Sequence, residues 1–175
     1  LFNALNNIYS LSIIKSEKAP ETLLKLSEML RYIIYDCNYD HVPIEKELKY
    51  IEHYVNLLML KDEGIQNIKL NFEVDDPSKP IAPMLLIPFL ENAFKHSKIE
   101  DTEKGWINVD LKLKNSNLNF NISNSMPEAR FFKDKTGGVG LENVKKRLKF
   151  IYQDRYELNI KPSTTKFEVE LNIIL

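Results

Sequence analysis

The period of the apolar residues changes once along this chain, and that change constrains the fold more than any other feature. Up to about residue 62 the apolar side chains recur in steps of three and four, and from about residue 67 they recur in steps of two. The first pattern is that of helices with one buried stripe, and the second is that of half-buried strands. Two regions follow: a helical region at 1–62 and an α+β unit at 63–175. Leu1, Leu5, Ile8 and Leu11 put the chain inside a helix from its first residue. A second helix is expected from Pro20 to about Asp36, with the seam Leu23, Leu26, Leu30, Ile33 and Cys37. A third starts at Pro43, carries Ile44, Leu48, Ile51, Val55 and Leu58, and ends at Gly64. Seams that average about 3.5 residues per turn run along packed helices, and such hairpins often complete a bundle with a second copy. A homodimer through the helical region is therefore expected, with a plain helical layer on its own domain as the alternative.

In the second region, Ile68, Leu70, Phe72 and Val74 alternate as a strand. Residues 107–113 and 118–122 alternate as a hairpin turning at 114–117, and Phe167, Val169, Leu171 and Ile173 mark a last strand. Helices are predicted at about 84–97 and 140–152, and the polar stretch at 126–136 reads as a mobile loop. The fold class is α+β: helices on one face of a mixed, largely antiparallel sheet.

Charge and composition exclude several functions. With 24 basic against 25 acidic residues the net charge is −1, which argues against a nucleic-acid or membrane-surface binder. Cys37 is alone, so neither a disulfide framework nor a cysteine zinc site is available. The apolar run at 81–90 holds two prolines and is too short to span a bilayer.

Two segments carry chemistry. In the helix PMLLIPFLENAFKHS, Leu86, Phe89, Leu90, Ala93 and Phe94 fall on one side, and Glu91, Asn92, Lys95 and His96 fall on the other. Asn92, Lys95 and His96 are spaced i, i+3, i+4 and share one patch. An amide oxygen there suits Mg²⁺, and the ammonium and imidazole suit phosphate oxygens. A solvated helix face has the same pattern. The second segment is Thr136-Gly137-Gly138-Val139-Gly140-Leu141, which opens a helix marked by Leu141, Val144, Leu148 and Ile151. Glycines let a ligand approach the backbone, and free N–H groups of a first helical turn bind anions. The spacing is not that of a P-loop, which needs GxxxxGK, nor of a GxGxxG dinucleotide fingerprint, since Asn143 stands in the third place. The HRD and DFG signatures of protein kinases are missing.

Together these segments resemble the GHKL ATP-binding superfamily, and within it the LytS/YehU-type sensor histidine kinases. Glu91-Asn92-Ala93-Phe94-Lys95-His96 is similar to that family's N box, ENAxKH. Gly138-Val139-Gly140-Leu141-Glu142-Asn143-Val144, with Arg147-Leu148, is similar to its glycine box, GxGLxNVxxRL. Leu1-Phe2-Asn3-Ala4-Leu5-Asn6 is similar to the end of its phosphoacceptor motif, HFLFNxLN, and 44–61 to the helix joining the two halves. The resemblance implies a Bergerat-type sandwich that binds ATP and Mg²⁺ between the two boxes, under the loop at 126–136. It implies Asn92 as the Mg²⁺ ligand, with Lys95, His96 and the Gly138–Gly140 backbone at the phosphates. Leu141, Asn143 and Arg147 complete the implied ATP-binding set, and Glu91 and Lys95 are the implied catalytic residues. The implied activity is a protein-histidine kinase, passing the γ-phosphoryl to a histidine and then to an aspartate of a response regulator receiver domain.

Two departures qualify that picture. The family's acceptor histidine precedes Phe-Leu-Phe-Asn and so falls two residues before Leu1. His41, His53 and His96 do not match it, and this chain is expected not to phosphorylate itself. Where the family often has an adenine-binding aspartate followed by glycine, this chain has Asn124 and Ser125, and Ser163-Thr164-Thr165 stands where another glycine is common. An amide carbonyl still accepts from the adenine amine, without charge assistance. Asn124 keeps open a non-catalytic dimeric scaffold with weak or lost nucleotide binding, and another type of GHKL ATPase is a further alternative. A cytoplasmic location follows from the ATP reading, with a membrane reached only through a preceding N-terminal part.

Overall fold

The computed structural model describes residues 2–61, 67–126 and 139–175. Three helices open the chain: α1 (Phe2–Ile13), α2 (Lys18–Ile34) and α3 (Ile44–Lys61). The expected seam of α3 is the buried one, since Ile44, Leu48, Ile51 and Val55 are all in the core and Leu58 is half-buried. The expected seam of α2 holds in part, since Leu26 is buried and Leu30, Ile33 and Cys37 pack against the core, but the buried stripe is shifted at Leu23. Thr22, Leu26, Met29 and Tyr32 are buried, whereas Leu23 is 52% exposed. The physical reason is that α2 packs on α3 through the stripe one residue back from Leu23, which frees Leu23 and Leu24 to face outward.

Strand β1 (Val42–Pro43) pairs antiparallel with β3 (Pro80–Ile81), and the N–H of Ile44 donates to the Lys79 carbonyl at 2.9 Å. This two-stranded ribbon, too short and proline-rich to show in the sequence, stitches the start of α3 to the segment before α4 (Ile87–His96). The main sheet adds β2 (Ile68–Val74), β4 (Ile107–Lys114), β5 (Asn117–Ser125), β6 (Tyr156–Pro162) and β7 (Lys166–Ile174), in the order β2-β4-β5-β7-β6. Only β2 and β4 run parallel, as the crossover through α4 requires, so the sheet is mixed and largely antiparallel. The β4–β5 hairpin turns on Asn115 and Ser116 with φ of 50° and 68°, the paired positive angles that match the twist of the flanking strands. Strand β6 has no counterpart in the sequence-based expectation. Its alternation of Tyr156, Leu158 and Ile160 is short and only half-buried at the sheet edge.

One face of the sheet carries Val109, Leu111, Phe120, Ile122, Val169 and Leu171 into the core. There Phe89 of α4 meets Phe120 at 5.9 Å, and α5 (Val139–Ile151) contributes Leu141, Val144 and Leu148. The other face is polar and lined with pairs such as Lys112–Glu73 and Lys161–Glu170. The loop expected at 126–136 lies, beyond Met126, outside the described residues, as do Gly64, Gly137 and Gly138.

Candidate functional site

The site is built around an irregular segment, residues 82–86, that leads into α4. Such a segment cannot satisfy its own N–H and C=O groups, and it is almost wholly buried. Side chains from three helices satisfy it. Glu47 of α3, 1% exposed, accepts the Met84 N–H on Oε1 and the Leu85 and Leu86 N–H groups on Oε2 at 3.1 and 3.2 Å. The Tyr32 hydroxyl of α2 donates to the same Oε1. From α5, the Arg147 guanidinium donates to the carbonyls of Pro83 at 2.8 Å and Met84 at 3.1 Å. The Ala82 N–H donates to the Tyr152 hydroxyl at 2.9 Å. Met84 sits at φ 54°, a left-handed conformation that costs a side-chain-bearing residue about 1–2 kcal/mol and persists where neighbours over-determine it.

Burial raises the Glu47 carboxyl above the usual carboxylate range, while its hydroxyl and N–H donors pull it back down. Burial, then the Glu47 charge, pushes the Tyr32 phenol up. Glu47 was not among the expected site residues, although its signal was present. It lies three residues after Ile44 and four before Ile51, an acid on the apolar stripe of α3.

Beyond this segment α4 begins with Pro88 in its first turn, where a missing N–H costs nothing. Ile87, Phe89, Leu90 and Ala93 are buried. Glu91 and Lys95 are exposed, and Asn92 and His96 are half-buried, so the polar patch faces outward as its spacing requires. Phe94 is half-buried and meets Tyr54 of α3 edge to face at 5.9 Å. The Glu91 charge reaches α3 as well. With burial as the larger cause, it holds the Tyr54 phenol up at about 12 and raises that of Tyr50. Glu91 therefore lies toward the helical region.

Asn124 ends the core-facing row of β5 after Leu118, Phe120 and Ile122, and it is 1% exposed. Its Nδ2 donates to the Ser125 carbonyl at 2.7 Å. Gly140 lies in the first turn of α5, and a Cβ there would meet nothing within 4 Å. Neither packing against the described residues nor a positive φ requires glycine at that position. Leu141 points into the core and Asn143 is exposed. Arg147, expected at the nucleotide, has both terminal nitrogens engaged on the Pro83 and Met84 carbonyls. Its place on α5 puts it toward the segment before α4. Gly138 lies outside the described residues.

Among the described residues no group of three His, Cys, Asp or Glu can hold a metal ion. A divalent cation bound here would take one amide oxygen, from Asn92, and the rest of its shell from phosphates and water, as Mg²⁺ does. Among the described residues, no helix is long and apolar enough to cross a membrane.

Known proteins resemble this chain in sequence and in fold. The Histidine kinase family model matches residues 1–63. Sensor protein kinase HptS of Staphylococcus aureus is 35% identical over 120 residues, covering 67% of this chain and 22% of HptS. The chain thus spans about a fifth of the length of that relative. The histidine kinase domain of the Erythrobacter litoralis blue-light activated histidine kinase superposes with a TM-score of 0.56 at 18% identity, covering 98% of this chain and 96% of that one. The Acinetobacter baumannii histidine kinase AdeS gives 0.52 at 14% identity, covering 90% and 79%. At such identities the structures establish the fold alone, and the sequence matches add the family signal. The sequence matches relate this chain to the sensor histidine kinases, and the structures show that it shares a fold with histidine kinase domains.

Proposed function

We propose that this chain is the nucleotide-binding kinase core of a two-component sensor of the LytS/YehU type, divided into a helical dimerisation region at 1–62 and an ATP-binding domain at 63–175. One observation supports the reading: α4, with Asn92, Lys95 and His96 on its polar side, packs against both α5, whose first turn holds Gly140, and β5, whose last residues include Asn124. In this reading Asn92 offers its amide oxygen to Mg²⁺, and Lys95 and His96 face the phosphates of ATP. The backbone at Gly140, with Leu141 and Asn143, offers the helix-terminal anion site, and Gly138 is assigned to it from the motif alone. Asn124 accepts from the adenine amine. Bound Mg-ATP supplies the γ-phosphoryl for a histidine outside this chain, and a receiver-domain aspartate is the onward acceptor. In the same reading Glu91 orients the acceptor histidine, and its effect on the Tyr54 and Tyr50 phenols of α3 supports that side of the helix. What the protein contributes is positioning and charge neutralisation.

The exposed apolar residues Leu5, Tyr9 and Ile13, spaced i, i+4, i+8 on α1, together with Leu23 and Leu24 on α2, support a homodimer through the helices. A cytoplasmic location follows from ATP as the ligand. Calorimetry with ADP and Mg²⁺ tests the reading, and absence of heat at millimolar nucleotide would sink it. That outcome favours the second reading, a dimeric scaffold without nucleotide. Its support is the Asn124 amide, already bonded to the Ser125 carbonyl.

A further inference from the structure

We propose that Glu47 and Arg147 are positioning residues for the nucleotide site, clamping from both ends the two peptide units that lead into α4. The peptide between Pro83 and Met84 gives its C=O to Arg147 and its N–H to Glu47. The next peptide does the same: the Met84 C=O accepts from Arg147 and the Leu85 N–H donates to Glu47. A negative and a positive group therefore grip opposite ends of the same two dipoles, and each polarises the peptide in favour of the other.

The placement gives the clamp a task. Glu47 comes from α3, which belongs to the helical region, and Arg147 comes from α5, whose first turn holds Gly140. The clamped residues end where α4 begins, at Ile87, and α4 carries Asn92 and Lys95. Three elements thus meet on one backbone segment, and the separation of α4 from α5 is set there. Arg147 is one face-matched step of seven residues from Gly140 on the same helix. A buried charge held by peptide groups is a poor device for stability alone, since well-packed apolar residues do as well. It is a good device for orientation, because hydrogen bonds to both ends of a peptide fix its plane as well as its distance.

This inference rests on the nucleotide-site reading above. The test is Mg-ADP affinity by calorimetry on the whole chain, alongside melting temperature, for Glu47→Gln, Arg147→Lys, Arg147→Met and Leu118→Ala. Leu118 is buried at the start of β5, beside the hairpin turn, where it pairs with Leu113 and Ile173, and it serves as the stability control. The clamp predicts that Glu47→Gln and Arg147→Met weaken binding at least about threefold. Arg147→Lys recovers part of the loss, and Leu118→Ala lowers the melting temperature with affinity unchanged. Should Glu47→Gln not fold, the two Arg147 variants carry the comparison. Unchanged affinity in folded clamp variants, or an equal loss in Leu118→Ala, overturns the clamp while leaving the ATP reading intact. Absence of binding by the unmodified chain overturns the ATP reading first.

Discussion

Tyr54 of α3 and Phe94 of α4 meet edge to face, with ring centroids 5.9 Å apart and planes 75° apart. Phe94 lies between Asn92 and His96 in sequence but on the opposite side of the patch they form. The aromatic pair therefore seats the polar helix on the helical region while its polar side faces away.

That pair is expected to be worth about 0.5–1.5 kcal/mol beyond its buried area. The double-mutant cycle of Tyr54→Ala and Phe94→Ala, read by urea unfolding, measures it. Additive losses would show that the rings merely lie side by side.

Gly105 is expected to tolerate no side chain. A Cβ there would lie 1.9 Å from the backbone oxygen of Lys98, and the Gly105 N–H donates to the Asp101 carbonyl at 2.7 Å. Backbone must move to make room, so Gly105→Ala should cost about 2–3 kcal/mol. A denaturation midpoint equal to that of the unmodified chain would contradict the close approach.

His53 gives stability a pH dependence of defined sign. Burial holds its imidazole below the ordinary value of 6.5, against the pull of the Glu28 carboxylate 3.5 Å away. The unfolded chain therefore takes up a proton before the folded one does. The contribution is fully present above about pH 6.5 and declines as the pH falls below it. Urea midpoints of the unmodified chain should drop more steeply between about pH 7 and pH 5 than those of His53→Gln. Parallel profiles would show that the group titrates alike in both states.

Asn124→Asp separates affinity from stability. A carboxylate at this position accepts from the adenine amine with charge assistance, which should tighten Mg-ADP binding by on the order of 1 kcal/mol, about fivefold. The same change buries a charge at a residue 1% exposed and removes the donor to the Ser125 carbonyl, so the melting temperature should fall. A tighter complex in a less stable protein is the expected pair of results, and weaker binding would count against adenine at this amide.

Leu24→Glu tests the helical interface. Leu24 is 60% exposed, so a charge there should leave the fold of one copy intact. If a second copy covers this face, the variant should elute as a monomer in size-exclusion chromatography where the unmodified chain elutes as a dimer. A monomer in both cases would remove the dimer reading.

The sequence by itself determined most of the elements and their type, though not the β1–β3 ribbon or β6. Apolar spacing alone separates α1 to α3 from the strands, and the alternation at 107–113 and 118–122 places the hairpin, because those patterns are imposed by local backbone geometry. It also marked Asn92, Lys95 and His96 as one patch, since i, i+3 and i+4 share a helix face wherever the helix packs. It did not determine that Thr22 rather than Leu23 is buried on α2, because a polar residue is the poorer candidate by pattern and only contact with the neighbouring helices chooses between them. Nor did it give Glu47 or Arg147 their tasks. The bonds that define them span 37 and 63 residues to Met84, and no local pattern records which distant N–H or C=O a buried charge will meet. Tertiary structure decided that pairing, because an irregular buried segment must find its hydrogen-bond partners wherever the packed helices bring them.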